Sequence, residues 1–289
     1  MSPDPNSPPS VPGDDPSIAN RSWTPKTPSR ALVIFVHGFT EHCGRYEHVA
    51  QALVARGVAV HALDLRGHGR SGGPRASIRS FAEYLDDVDH YVERLRHKNS
   101  GKPLFLLGHS MGGIVAALLV IERRIPVDGL ILSAPALKVG DDVFPLLRRL
   151  ASLVSRIWPG LRLVRLGCRR LSRDPATVEH FRTDPLVFHG RFPVRSGTEI
   201  LSAGRRVLRA ARAIHVPLLL LQGTADAVVD PEATRDLFAQ AASPDKTLKL
   251  YDGLYHDLFG EPEKDQVIAD LIHWVDFRCS QLFTDPRHA

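Results

Sequence analysis

Short apolar runs alternate along the chain with longer segments whose apolar residues recur every three or four positions. The runs fall at 31–36, 58–64, 104–107, 130–132 and 216–222, and the mixed segment 247–251 reads as a last short strand. A run without polar alternation is what a strand needs when helices cover both its faces. The segments between keep a 3.6-residue period: Tyr46, Val49, Leu53 and Val54 in the first, Phe81, Tyr84, Leu85, Val88, Val92 and Leu95 in the second, and Val267, Ile268, Leu271, Ile272 and Val275 in the last. Gly57 suits a C-terminal stop, Ser80 a cap, and Asp230-Pro231 a helix start with proline at its favoured first position. Strand and helix in alternation specify an α/β fold, a mostly parallel central sheet with helices on both faces. Such sheets receive ligands at the C-terminal ends of their strands.

The alternation stops between about 137 and 204. Phe144, Leu147, Leu150, Val154, Ile157 and Trp158 make a helical stripe there, with Arg148, Arg149 and Arg156 off it. Residues 137–204 hold 12 Lys and Arg against 6 Asp and Glu, so the chain's basic excess is concentrated in this stretch. It reads as a helical cap inserted into one domain built from 23–136 and 205–289. The polar, proline-rich residues 1–22 are expected to form a disordered tail.

At 289 residues and 43% hydrophobic composition the chain can bury a large core. It has no run of about 18 apolar residues that would span a membrane. Its first residues carry prolines and aspartates where a secretory signal needs a charged start and an apolar middle, so a cytoplasmic protein is expected. Cys43, Cys168 and Cys279 are far apart and fit neither a disulfide framework nor a zinc site. No metal or cofactor is implied. A net charge of +5 would suit nucleic acid or an anionic membrane. No nucleic-acid motif accompanies it, and nucleic acid is set aside. The apolar stripe of the cap is most simply buried on the sheet domain; alternatively, part of it docks on lipid while Arg148, Arg149 and Arg156 meet anionic headgroups, a peripheral membrane contact.

The candidate chemistry centres on Gly108-His109-Ser110-Met111-Gly112, a G-x-S-x-G turn between an apolar strand and an Ala-rich helix. This is the context of a nucleophile elbow, which raises one serine on a tight corner. The same spelling at Gly69 to Gly73 lies in a glycine-rich loop with Pro74 where a helix would begin, so Ser71 is a decoy. A serine needs a base, and the base needs an acid to fix its tautomer. In the chain order Ser, acid, His, the base is His256, in a loop after the strand at 247–251, rather than His273 inside the last helix. The acid is Asp226, just past the strand at 216–222, with Asp230 its rival and the better helix cap. Two backbone N–H groups should hold the oxyanion: Met111, after the nucleophile, and Phe39, in the loop after the first run. The His37 side chain reads as a loop-stabilising group rather than a second base.

With these residues in view the chain resembles the monoacylglycerol lipases of the α/β-hydrolase fold, the actinobacterial members in particular. The box H-G-x-x-E-H-x-x-R-Y stands at His37 to Tyr46, D-x-R-G-H-G-x-S at Asp64 to Ser71, G-H-S-M-G-G at Gly108 to Gly113 and L-S-A-P-A at Leu132 to Ala136. Gly223-Thr224-Ala225-Asp226 and Tyr251-Asp252-Gly253-Leu254-Tyr255-His256 follow, and Ser172 to Pro175 and Thr183 to Val187 look like cap segments of the family. The resemblance covers about 23–282. It implies hydrolysis of monoacylglycerols to glycerol and fatty acid without a cofactor, and places His37, Gly38, Glu41, Arg45, His109 and Tyr255 around the substrate. A lysophospholipase or general carboxylesterase would use the same triad; a non-catalytic module binding a hydrophobic ligand is the remote alternative. One departure is that the first strand pair of the family, before the W-x-P segment at Trp23, is missing or degraded.

Overall fold

The computed structural model describes residues 17–139, 157–168 and 170–284. Seven strands form the central sheet: β1 (Asn20–Trp23), β2 (Ala31–Val36), β3 (Val58–Leu63), β4 (Leu104–His109), β5 (Gly129–Ser133), β8 (Leu218–Gly223) and β9 (Lys246–Tyr251), in the order β1-β3-β2-β4-β5-β8-β9. All pairings are parallel except that of β1 with β3.

Every residue of β2, β3, β4, β5 and β8 is buried, as continuous apolar runs require. In β2 the side chains alternate between two cores. Leu32, Ile34 and Val36 join one that includes α2 (Ala82–Lys98) and α3 (Met111–Leu118), while Ala31, Val33 and Phe35 join another with α1 (Glu47–Val54) and the closing helix α7 (Lys264–Thr284). The sheet is therefore covered on both faces. At the start of α6 (Pro231–Gln240), Asp230 caps by accepting from Glu232 N at 3.0 Å.

β1 corrects the expected extent of the tail. Asn20 pairs opposite Leu63 and Trp23 opposite Val60, antiparallel, and Ser22 Oγ lies 2.9 Å from His61 Nδ1. The strand is a partly exposed edge element held by backbone pairing, so Asn-Arg-Ser-Trp gives no hydropathy signal.

Between β5 and β8 the chain makes its excursion. It contributes a two-stranded ribbon of β6 (Arg162–Val164) and β7 (Phe192–Pro193), the short helix α4 (Pro175–Thr183), and α5 (Val194–Arg209). The expected boundary at 204/205 falls inside α5, which runs on without a break. Ala203, Gly204 and Val207 are buried on the sheet domain, and a Cβ at Gly204 would lie 2.5 Å from Leu137 O. Phe144, Leu147, Leu150, Val154, Arg148, Arg149 and Arg156 lie outside the described residues. Ile157 and Trp158 do not follow the expected burial: they are 57% and 65% exposed, beside the exposed Leu161 and Leu163. Among the described residues no helix is long and apolar enough to cross a membrane.

Candidate active site

Ser110 sits between β4 and α3 with φ 53° and ψ −117°, a backbone conformation costing about 1–3 kcal/mol for a residue with a side chain. Glycine makes the corner possible. A Cβ at Gly108 would stand 2.2 Å from Gly112 O, and one at Gly112 would stand 2.1 Å from Val36 O. Ser110 N donates to Ser133 O at 2.9 Å, tying the corner to β5.

Loops after β8 and β9 bring an acid and a histidine to this corner. His256 Nε2 lies 2.9 Å from Ser110 Oγ, and His256 Nδ1 lies 2.8 Å from Asp226 Oδ2. Asp226 also accepts from Val228 N at 2.8 Å, Val229 N at 3.0 Å and Gln222 Nε2 at 3.1 Å; Gln222 in turn accepts from Thr234 Oγ1 at 2.8 Å. Burial disfavours charge on both members of the pair. Their mutual attraction and hydrogen bonds outweigh it, so His256 is raised above its ordinary pKa and Asp226 lowered below the carboxylate range. Asp230, the rival acid, instead caps α6 and pairs with Lys138 at 2.6 Å. His273 is exposed on α7.

The loop after β2 folds against Ser110. His37 Nδ1 donates to Gly38 O at 2.7 Å, and its Nε2 accepts from Leu65 N at 2.9 Å. That pattern needs a neutral ring, and burial holds the His37 pKa below its ordinary value. The Gly38 carbonyl and the Phe39 N–H share one trans peptide and point in opposite directions, so anchoring the carbonyl on His37 also fixes the direction of the N–H. Met111 opens α3, where N–H groups have no intrahelical acceptor. Ser71 Oγ accepts from Ala19 N at 2.9 Å and donates to Asp64 O, both structural contacts.

This geometry has relatives. Residues 27–263 match the family model for serine aminopeptidase, S33. The chain is 37% identical over 253 residues to the monoacylglycerol lipase of Mycolicibacterium smegmatis, covering 88% of this chain and 90% of that one. It is 37% identical over 263 residues to the human monoglyceride lipase, covering 90% and 87%. The chain belongs to the monoacylglycerol lipase family of α/β-hydrolases. The crystal structure of a monoacylglycerol lipase from Paleococcus ferrophilus superposes with a TM-score of 0.83 at 33% identity, covering 91% of this chain and 99% of that one.

Other residues of the family boxes have defined protein partners. Glu41 and Arg45, expected beside the substrate, direct their charged groups at protein partners. Glu41 Oε1 accepts from Gly38 N at 2.7 Å and Tyr46 OH at 2.6 Å, and Glu41 Oε2 accepts from Arg45 Nε at 2.9 Å. His37 is fully buried, and a Cβ at Gly38 would press on Glu41. His109 is buried with Nδ1 3.2 Å from Ser133 Oγ; burial, reinforced by the nearby His256, pushes its pKa down to about 4, so it stays neutral. Tyr255 is half-buried.

Two groups of contacts lie outside the reach of the catalytic motifs. Asp257 accepts from Arg45 Nη2 at 2.9 Å, although 212 positions separate them. The α4 segment is fastened at both ends. Asp257 N donates to Leu171 O at 2.7 Å and Ser172 Oγ to Gly260 O at 2.8 Å, while Arg173 Nε reaches the buried Glu261 at 2.6 Å. At the far end His42 Nε2 donates to Asp184 at 2.8 Å and Phe188 N to Thr40 O at 2.7 Å. The adjacent Ser172-Arg173-Asp174-Pro175 and Thr183-Asp184-Pro185 motifs are the only sequence pointers to these attachments.

Proposed function

We propose that the protein hydrolyses monoacylglycerols to glycerol and a fatty acid through an acyl-enzyme on Ser110. The observation that carries this reading is the hydrogen-bonded chain Ser110 Oγ, His256, Asp226, at 2.9 and 2.8 Å, in a chain 37% identical to two enzymes named for this activity.

In this mechanism His256 takes the Ser110 proton on Nε2 as Oγ attacks the ester carbonyl carbon. Asp226 keeps the Nδ1–H tautomer in place and stabilises the imidazolium. The Phe39 and Met111 N–H groups receive the oxyanion, which is where such donors lower the barrier most. His256 then gives its proton to the leaving glycerol oxygen as the ester C–O bond breaks. Water attacks the acyl-enzyme with His256 again as base, releasing the fatty acid and restoring Ser110. We further propose that part of the cap meets a lipid surface, a reading supported by the exposed Ile157, Trp158, Leu161 and Leu163.

The test is hydrolysis of monoacylglycerols of graded chain length beside matching di- and triacylglycerols and lysophospholipids, with Ser110→Ala as control. A preference for glycerol monoesters that disappears in Ser110→Ala is expected. Equal rates across head groups would reduce the assignment to a general esterase, and activity retained by Ser110→Ala would overturn the nucleophile.

A further inference from the structure

Arg45 lies at the centre of a buried bridge between two loops that carry different parts of the proposed machinery. Its Nε donates to Glu41 at 2.9 Å and its Nη2 to Asp257 at 2.9 Å. The side chains of Arg45, Glu41 and Asp257 are 10%, 6% and 7% exposed, and the Phe181 ring of α4 covers the guanidinium at 4.8 Å. Glu41 in turn holds Gly38 N, in the peptide just before the Phe39 N–H, and Asp257 is the chain neighbour of His256.

A buried ion network of this kind adds little net stability, because desolvating the charges offsets most of their attraction. Its stronger effect is on distance. The oxyanion loop follows β2 and the histidine loop follows β9, with β4, β5 and β8 between those strands in the sheet. No strand pairing sets the spacing between the two loops. A planar guanidinium with donors on two edges links them directly, since each carboxylate must meet a fixed N–H direction, while the α4 segment joins the same loops by a longer path.

We propose that Arg45 is a positioning residue: by joining Glu41 to Asp257 it sets the spacing between the oxyanion donor at Phe39 and the base at His256. The inference rests on the Ser110 mechanism above. It also assigns Arg45 a role other than substrate contact, and gives Asp257 a role for which its place in the chain offers no sign. The bridge has an electrostatic consequence as well, because Asp257 and Glu41 both favour the protonated form of His256.

The experiment compares Arg45→Met, Asp257→Asn, Asp257→Glu and the Arg45→Met/Asp257→Asn pair with the parent and Ser110→Ala, using a soluble nitrophenyl ester below the melting point of every variant. Loss of spacing should lower kcat about 10- to 100-fold with KM little changed, since displacements near 1 Å act at that scale. The double variant should be no slower than the slower single one. Asp257→Glu should recover most of kcat, and the acid limb of the kcat/KM profile should move to lower pH in Asp257→Asn. Asp257→Asn preserves side-chain shape, so it decides the matter if Arg45→Met fails to fold. A rise in KM alone would return Arg45 to substrate contact, and unchanged kcat in folded Asp257→Asn would overturn the bridge. Activity surviving in Ser110→Ala would instead reject the mechanism on which the bridge depends.

Discussion

Gly38 and Ser110 approach so closely that a Cβ added at Gly38 would stand 3.2 Å from Ser110 Cβ and 2.6 Å from Glu41 Oε1. The loop expected to supply an oxyanion donor is therefore packed directly on the proposed nucleophile, and three donors hold the carboxylate behind it. Gly38→Ala should displace this loop and lower kcat by about 10²-fold, the scale of losing one oxyanion donor. Steady-state kinetics on a folded variant, verified by circular dichroism, measures it; a kcat within threefold of the parent would mean that Glu41 yields without cost.

Asp226 and Asp230 separate cleanly as acid candidates. Asp226→Asn should lower kcat by about 10⁴-fold through loss of the correct histidine tautomer. Asp230→Asn retains a good capping residue and should stay within a few-fold of the parent. Measuring kcat for both side by side decides between them.

The ring of His256 must be neutral to accept the Ser110 proton. Its pKa is raised because the Asp226 charge and hydrogen bond outweigh burial, so kcat/KM should fall as pH drops through a value above the ordinary 6.5. A pH profile of kcat/KM whose acid limb lies below 6.5 would contradict this.

Glu41 bears on acid stability rather than on turnover. Burial alone would raise its pKa, but the Arg45 charge, favourable interactions with the nearby His109 and His37 rings, and the Tyr46 hydroxyl bring it from 4.5 to about 2. A depressed carboxylate stabilises the fold above its unfolded pKa, and the contribution is lost as pH falls from 4.5 toward 2. Urea titrations across this window should show a shallower acid loss in Glu41→Gln than in the parent.

Trp158 offers a reporter for lipid contact. Trp274 is buried and Trp23 partly so, leaving Trp158 as the exposed indole. Anionic vesicles should shift the tryptophan emission to the blue in the parent and leave Trp158→Phe unchanged. An identical response from both proteins would remove this part of the cap from the membrane contact.

Much of this arrangement is legible in the sequence because strand ends follow from strand patterns. Once the apolar runs are placed, Ser110, Asp226 and His256 must all emerge at the C-terminal ends of the strands, and the loop setting of Ser71 separates it from Ser110. What escapes has identifiable physical causes. The edge strand at Asn20 is held by backbone pairing and carries no apolar signature. α5 passes through the expected domain boundary because its buried face there is Ala203 and Gly204, small residues chosen for close approach rather than hydrophobicity. The Arg45–Asp257 contact spans 212 positions, and only folding brings those residues together.

The two-ended attachment of α4 bears on how such enzymes can be re-engineered. One end is fastened to the loop of His256 through Leu171, Ser172 and Arg173, the other to the oxyanion loop through Asp184 and Phe188. This part of the excursion is not an interchangeable module. A chimera that imports another enzyme's specificity segment also replaces the struts beneath the reacting atoms, so selectivity and turnover will change together unless those anchor points are carried over with the graft.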